Sequence, residues 1–542
     1  MGNFSWAMPY ASRRMPIFAE NMVATSQPLA AQAGLRMLQD GGNAVDAAVT
    51  MASTLGVVEP MSTGIGGDIF ALIWDPKTEK IDSFNGSGTS SRHSDPKEII
   101  NKGFNSIPTE GDGSAYSVSV PGSVDGWQKI LEKHGTISLS DSLAPGIKLA
   151  EEGFPVSKMI SWQWKESEAK LLYRESGNEL LKNGKAPEEG DLIKLTTLAE
   201  SMNEISQKGP SAIYGGSLGE KIASYINQEE GWLDIEDLKN YSSYWTEPIK
   251  TNYRGYEVFE CPPNGDGLAA LISLNITENI DFKKIKHGSS DFYHYLIEAM
   301  KLGFADALWH VTDPKKNEIP IEKLLSKNYS KERFNLINSK SIMNQVSHNT
   351  FDTSGDTVYI TAIDGNGMAC SLINSTFQGF GSGLVVPGTG IALQNRGALF
   401  SLDESHPNYL EPNMRPFHTI IPCMVTKDNK LFLSFGVMGG FQQPQGHLQV
   451  ITNMIDYNLS PQDALDSLRF SLDVDDMKTI SLEEDLDDQI IKELESKGHK
   501  LNVVSGNERI MFGGAQVAQY NSDTGVISLG TEPRKDGSAL AY

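Results

Sequence analysis

Apolar positions along the chain fall into two periods. Leu29, Ala33 and Met37 share one helical face, with Leu38 beside it, and Gly41-Gly42 ends the run. Ser26-Gln27-Pro28 opens this helix, with Ser26 expected as its cap and Pro28 at an early helical position. Asn43 then caps a second helix, 44–55, which is small and apolar nearly all round and so is expected in the interior. The same spacing predicts helices over 138–152, 196–207 and 289–308, and 158–190 reads as polar and helical. Short runs rich in β-branched and aromatic residues predict strands at 69–74, 430–435 and 357–363.

The last of these strands organises the chain. Gly355-Asp356 precedes it, Asp364-Gly365-Asn366-Gly367 follows it, and both are turn formers. The segment 345–355 is polar, lacks periodicity and reads as an exposed connector. A connector ending in Gly-Asp and entering a strand that opens with Thr is the arrangement a self-cleaving N-terminal-nucleophile hydrolase needs. Cleavage before Thr357 would give one residue with a hydroxyl nucleophile and a free α-amine to take its proton.

Composition narrows the field. Hydrophobic residues make up 39% and charged residues 21% of the 542 positions, as in a globular protein. A net charge of −23 argues against nucleic acid or an anionic membrane as partner. Cys261, Cys370 and Cys423 are far apart and odd in number, so neither a disulfide framework nor a zinc site is expected from spacing. No cofactor and no metal is called for. The first 22 residues hold no apolar run suited to a signal peptide, and no later run reaches the roughly 18 residues of a membrane helix. A cytoplasmic location is the expectation.

Gly64-Ile65-Gly66-Gly67 precedes a strand and not a helix, so it is no dinucleotide fingerprint. Together with Asp40-Gly41-Gly42-Asn43-Ala44-Val45-Asp46-Ala47-Ala48 it resembles the opening of the γ-glutamyltransferase (glutathione hydrolase) family. Val118-Ser119-Val120-Pro121-Gly122-Ser123, Tyr253-Arg254-Gly255-Tyr256 with Pro262-Pro263, Glu298-Ala299-Met300-Lys301 and Pro533-Arg534 are similar to later landmarks of that family, in order. The resemblance implies an α+β fold, a four-layer αββα sandwich of the N-terminal-nucleophile hydrolase type. It also implies a large subunit, 1–356, and a small one, 357–542, intertwined in one fold.

On the same resemblance Thr357 is the nucleophile, and Ser375, eighteen residues on, is the second hydroxyl. A strand leaving Thr357 and returning after the turn at 364–367 would bring Ser375 back beside it. Gly439 and Gly440, after the strand at 430–435, inherit the family's oxyanion donors, a role two adjacent glycines suit because backbone N–H groups can approach an acyl oxygen.

The amino-acid clamp departs from the family pattern. No arginine stands before Arg92 in the segment 84–91 that should hold a substrate carboxylate. The remaining substrate-facing positions fall on Phe377, Arg396, Leu399, His418 and Thr419, with Tyr359 beside the nucleophile as a further contact. Leu399 removes the expected partner of a substrate ammonium. Arg396 is either a carboxylate contact or a structural ion-pair residue, and His418 is either a core or a functional histidine. His447 is expected to be structural.

The leading reading is therefore a self-processing threonine amidohydrolase that forms an acyl-enzyme on Thr357 and releases it mainly to water. An alternative keeps the fold and takes a small carboxylate-bearing acyl amide, in the manner of the family's oxamate- and cephalosporin-cleaving relatives. A third is an inactive binding protein, against which Thr357, Gly439 and Gly440 all count. The partner is a small-molecule amide in the first two.

Overall fold

Two antiparallel seven-stranded sheets face one another across an apolar layer. The computed structural model describes residues 16–343 and 355–542. The first sheet runs, in spatial order, Ser538–Ala541, Met22–Thr25, Asp356–Ile363, Ala369–Phe377, Asp68–Asp75, Lys80–Gly86 and Tyr244–Thr246. The second runs Ile17–Ala19, Ile527–Thr531, Gly514–Tyr520, Lys430–Met438, Cys423–Lys427, Tyr256–Glu260 and Ile249–Tyr253. Strand Asp356–Ile363 lies inside the first sheet, paired on both edges.

Period-two alternation explains the layers. Along Asp356–Ile363, Val358, Ile360 and Ala362 point to a helical layer that contains helix Ala44–Val58. Tyr359 and Ile363 point the other way, to Phe70, Met424 and Leu431 between the sheets. On the second sheet Val425, Leu433 and Phe435 face a second helical layer built from Gly267–Thr277, Ser290–His310 and Gln442–Ile455. Helices cover both outer faces, which is the expected four-layer αββα sandwich.

The elements follow the sequence closely, with two instructive differences. Helix Pro28–Gln39 is capped by Gln27, whose Oε1 accepts from the Leu29 and Ala30 N–H groups, and not by Ser26. Ser26 instead donates to buried Glu59 over 2.5 Å, a tertiary bond that outbids a local cap. The polar stretch at 158–190 is not one helix but Lys158–Glu166, Glu168–Leu172 and a 3₁₀ turn, Glu175–Leu180, wrapped around buried Trp164 and Leu171. Helix Ala44–Val58 is buried along its whole length, and Asn43 with Asp46 closes a capping box at its start. The connector at 345–355 lies outside the described residues except for Gly355.

Candidate active site

The hairpin Asp356–Ile363 and Ala369–Phe377 sets the geometry. Asp356 pairs with Phe377 and Val358 with Asn374, so one strand spends an extra residue and a bulge places Ser375 and Thr376 opposite Thr357. A bulge of this kind turns a side chain out of the normal alternation. Here it brings Ser375 Oγ to 3.1 Å from Thr357 Oγ1. Phe377, at the end of the bulge, has φ +81°, a left-handed conformation that a bulky residue adopts only under constraint.

Ser375 is the hub of the cluster. The Phe377 N–H donates to its Oγ over 2.9 Å and Arg396 Nη2 over 3.2 Å. A hydroxyl has two acceptor lone pairs and one proton. With both lone pairs filled, Ser375 has only its own proton left to give. In this chain that proton goes to the Asp356 carbonyl oxygen, 2.9 Å away. That carbonyl belongs to the peptide bond joining Asp356 to Thr357, so the second hydroxyl grips the bond that cleavage would break. Without that carbonyl, the Ser375 proton has Thr357 Oγ1 as its remaining acceptor.

The glycine pair lies against the same junction. Gly439 has φ +119° and Gly440 φ +57°, conformations open to glycine. A Cβ on Gly355 would come within 3.0 Å of the Gly440 Cα, so the two backbones are in contact. Helix Gln442–Ile455 begins just beyond, and its N-terminal partial positive charge is directed toward this region. A cavity of about 750 Å³ adjoins the junction, lined by Gly355, Asp356 and Gly439 together with Trp162, Met438 and Phe441.

Arg396 is fully buried. Its Nη1 donates to Thr419 Oγ1 over 2.7 Å, its guanidinium stacks 4.5 Å over the Phe377 ring, and its Nε has no partner among the described residues. Burial pushes Arg396 down to about 9, opposed by the charge of Asp68. Burial likewise pushes Asp68 up to about 7, opposed first by Arg396. Asp68 is the cross-strand partner of Ser375 and accepts from Gln394 Nε2 at 2.8 Å and the Gly88 N–H at 3.1 Å. His418 Nε2 lies 3.0 Å from its other oxygen.

The structure places three of the sequence candidates as follows. His418 is turned onto Asp68, and burial holds it well below the ordinary histidine range, so it is a neutral histidine of the interior that steadies Asp68. Tyr359 is no substrate contact: its ring fills the space over Gly436 in the intersheet layer and its hydroxyl bonds Ser371 at 2.9 Å. Arg396 forms no direct ion pair among the described residues and takes its place in the hydroxyl chain. Asp68 and Gln394 were missed by sequence reasoning, and the one available signal was an acidic residue directly after Gly66-Gly67. Leu399 is core, and Arg92 is paired with Asp234 at 2.6 Å, away from the cluster.

The chain and its fold have counterparts among known proteins. The family profile described as Gamma-glutamyltranspeptidase matches residues 30–542. The chain belongs to the gamma-glutamyltranspeptidase family. It is thus an enzyme of a hydrolase family with the N-terminal-nucleophile fold. A glutathione hydrolase-like YwrD proenzyme of Bacillus subtilis (strain 168) is 38% identical over 97% of this chain and 99% of its own. Acylase ACY 1 proenzyme of Pseudomonas sp. (strain SE83) is 32% identical over 96% of this chain and 94% of its own. The crystal structure of cephalosporin acylase from Bacillus halodurans superposes with a TM-score of 0.91 at 40% identity, covering 100% of this chain and 99% of that one.

Proposed function

We propose that this protein is a self-processing threonine amidohydrolase for amides of small acyl groups that carry a carboxylate but no α-ammonium. In this reading the precursor divides into 1–356 and 357–542. The Thr357 hydroxyl attacks the Asp356 carbonyl, the C–N bond breaks as the ester forms, and the proton passes to the departing nitrogen. That step frees the Thr357 α-amine; water then opens the ester, releasing the Asp356 carboxylate and restoring the Thr357 hydroxyl. The relatives named as proenzymes and the Ser375 grip on the Asp356 carbonyl support this step.

In the mature enzyme the α-amine, with an ordinary pKa of about 7.7–8.0, takes the Thr357 proton as Oγ1 attacks the substrate carbonyl. Ser375, its lone pairs still filled by Arg396 and Phe377, gives its hydrogen bond to Thr357 Oγ1 and orients it. The N–H groups of Gly439 and Gly440 receive the oxyanion. The amine leaves with the proton, and water repeats the sequence on the acyl-enzyme.

The observation that carries the substrate class is Arg396. It is a buried cation one hydrogen bond from the Thr357–Ser375 pair, with an unspent Nε–H, while the neighbouring positions Phe377 and Leu399 bring no anion. Asp68 and Glu59, the buried carboxyls that act on Arg396 and Asp356, are each engaged already, Asp68 by Gln394 and His418 and Glu59 by Ser26 and Ser62. A substrate carboxylate finds a partner there and a substrate ammonium does not. An unpaired buried polar group costs about 1–3 kcal/mol, which is roughly a tenfold to hundredfold loss.

The test compares kcat/KM for glutaryl-p-nitroanilide and γ-glutamyl-p-nitroanilide on processed enzyme, with and without glycylglycine. Preference for the glutaryl donor by at least about tenfold, with little acceleration by glycylglycine, is expected. Preference for the γ-glutamyl donor would overturn the reading.

A further inference from the structure

A second group of chemistry-bearing side chains lies on the other sheet. Glu260 ends strand Tyr256–Glu260 and Cys423 opens strand Cys423–Lys427; they are direct partners across the antiparallel pair, so their side chains leave the same face. Val258 and Val425, two residues along each strand, belong to the outer helical core, which fixes that face as the one under helix Gln442–Ile455. His447 reaches down from this helix onto the same face, its ring 4.8 Å from that of Phe435. A carboxylate oxygen, a thiol sulfur and an imidazole nitrogen thereby lie within 4.8 Å of one another, all fully buried.

The polar accounting around them does not close. His447 Nδ1 sits 2.7 Å from Glu260 Oε1. Yet His447 Nε2 and both carboxylate oxygens of Asp266 are buried without a hydrogen-bond partner among the described residues, while the Glu260 carboxylate meets the Cys423 thiol as well as His447. Glu260 and Asp266 feel each other's charge, and no lysine or arginine among the described residues acts on either. Three other buried acids have cations: Glu298 has Lys301, and Glu483 and Glu532 have Arg534. Buried carboxyls of this kind call for a positive charge or a proton.

We propose that Glu260, Cys423 and His447 form a structural zinc site. The mixed sulfur, nitrogen and oxygen donor set suits zinc and disfavours calcium or magnesium, which take oxygen. The charges balance: a thiolate and a carboxylate neutralise the divalent ion, neutral imidazole is the third protein donor, and a water molecule would fill the fourth tetrahedral position. Binding displaces the thiol proton of Cys423 and the proton shared between His447 and Glu260. The ion ties two strands of the second sheet to the helix that starts just after Gly440, so it holds the base of the glycine loop from a distance and touches no substrate. Spacing along the chain hides the site because its ligands come from three separate elements.

The experiment uses the full-length enzyme, prepared without a histidine tag and passed through gel filtration. Metal analysis by mass spectrometry should find about one zinc per chain. Refolding with cobalt in place of zinc should give a thiolate-to-cobalt charge-transfer band, and refolding with zinc should raise Tm above that of protein refolded with chelator. Cys423→Ser should lose the charge-transfer band. If that variant does not fold, the zinc content, cobalt spectrum and Tm of the unaltered chain decide the matter alone. Metal-free enzyme that shows no cobalt band and no zinc-dependent Tm would overturn the proposal and leave Glu260 and His447 as a simple buried ion pair.

Discussion

Ser375 Oγ lies 2.9 Å from the carbonyl oxygen of Asp356, the acyl half of the peptide bond to Thr357. One hydroxyl is therefore shared between the bond to be cleaved and the nucleophile 3.1 Å away. Ser375→Ala should slow both stages while leaving the fold intact, because the change removes one oxygen from a strand end. Thr357→Ala should leave a single uncleaved chain near 59.3 kDa. Denaturing gels over time measure the first stage and kcat of the processed fraction the second. Rapid, complete processing by Ser375→Ala at full kcat would remove Ser375 from the scheme. A small fragment beginning anywhere but Thr357 would do the same for the cleavage site.

Gly440 has φ +57° and touches the backbone of Gly355. Valine is strained at such an angle, so Gly440→Val should tilt the N–H away from the developing oxyanion. Loss of one such donor lowers kcat by about 10²–10³-fold. KM should move far less. Steady-state kinetics on folded, processed variant give the answer, and an unchanged kcat would assign the oxyanion to other donors.

Arg396→Gln separates two uses of the guanidinium. If it meets the substrate carboxylate, the change should cost glutaryl amides about 1.5–3 kcal/mol, roughly a tenfold to hundredfold rise in KM, and leave neutral butyryl amides nearly untouched. Equal losses of kcat on both substrates would instead mean that Arg396 serves only to hold Ser375. Comparing the two acyl series decides between them.

Asp68 gives a pH prediction with a definite sign. Burial raises its pKa from the ordinary 3.8 to about 7, so between those values the folded chain binds a proton that the unfolded chain has lost. Stability from this group is full below about pH 4 and declines as pH rises through about 7. Asp68→Asn, which keeps an acceptor for Gly88 and Gln394, should flatten the Tm profile over that window. Thermal melts at a series of pH values read it out, and an unaltered slope would show that Asp68 titrates elsewhere.

Much of this protein was legible in the residues alone, for local reasons. Helix Ala44–Val58 is announced by an Asn cap and an apolar circumference, and the 356–377 hairpin by β-branched runs around an Asp-Gly-Asn-Gly turn. Both depend on neighbours within a few positions, which a sequence displays directly. The approach of Ser375 to Thr357 follows from hairpin connectivity, but the bulge that aims the hydroxyl, and the φ +81° of Phe377 that ends it, depend on how two strands meet. Tertiary structure alone placed Ser26 on Glu59, His418 on Asp68, and Glu260 beside Cys423 and His447. Those pairings join residues 33, 350 and up to 187 positions apart. Buried polar groups must find partners wherever the packed layers leave them, and no periodicity along the chain records which partner that will be.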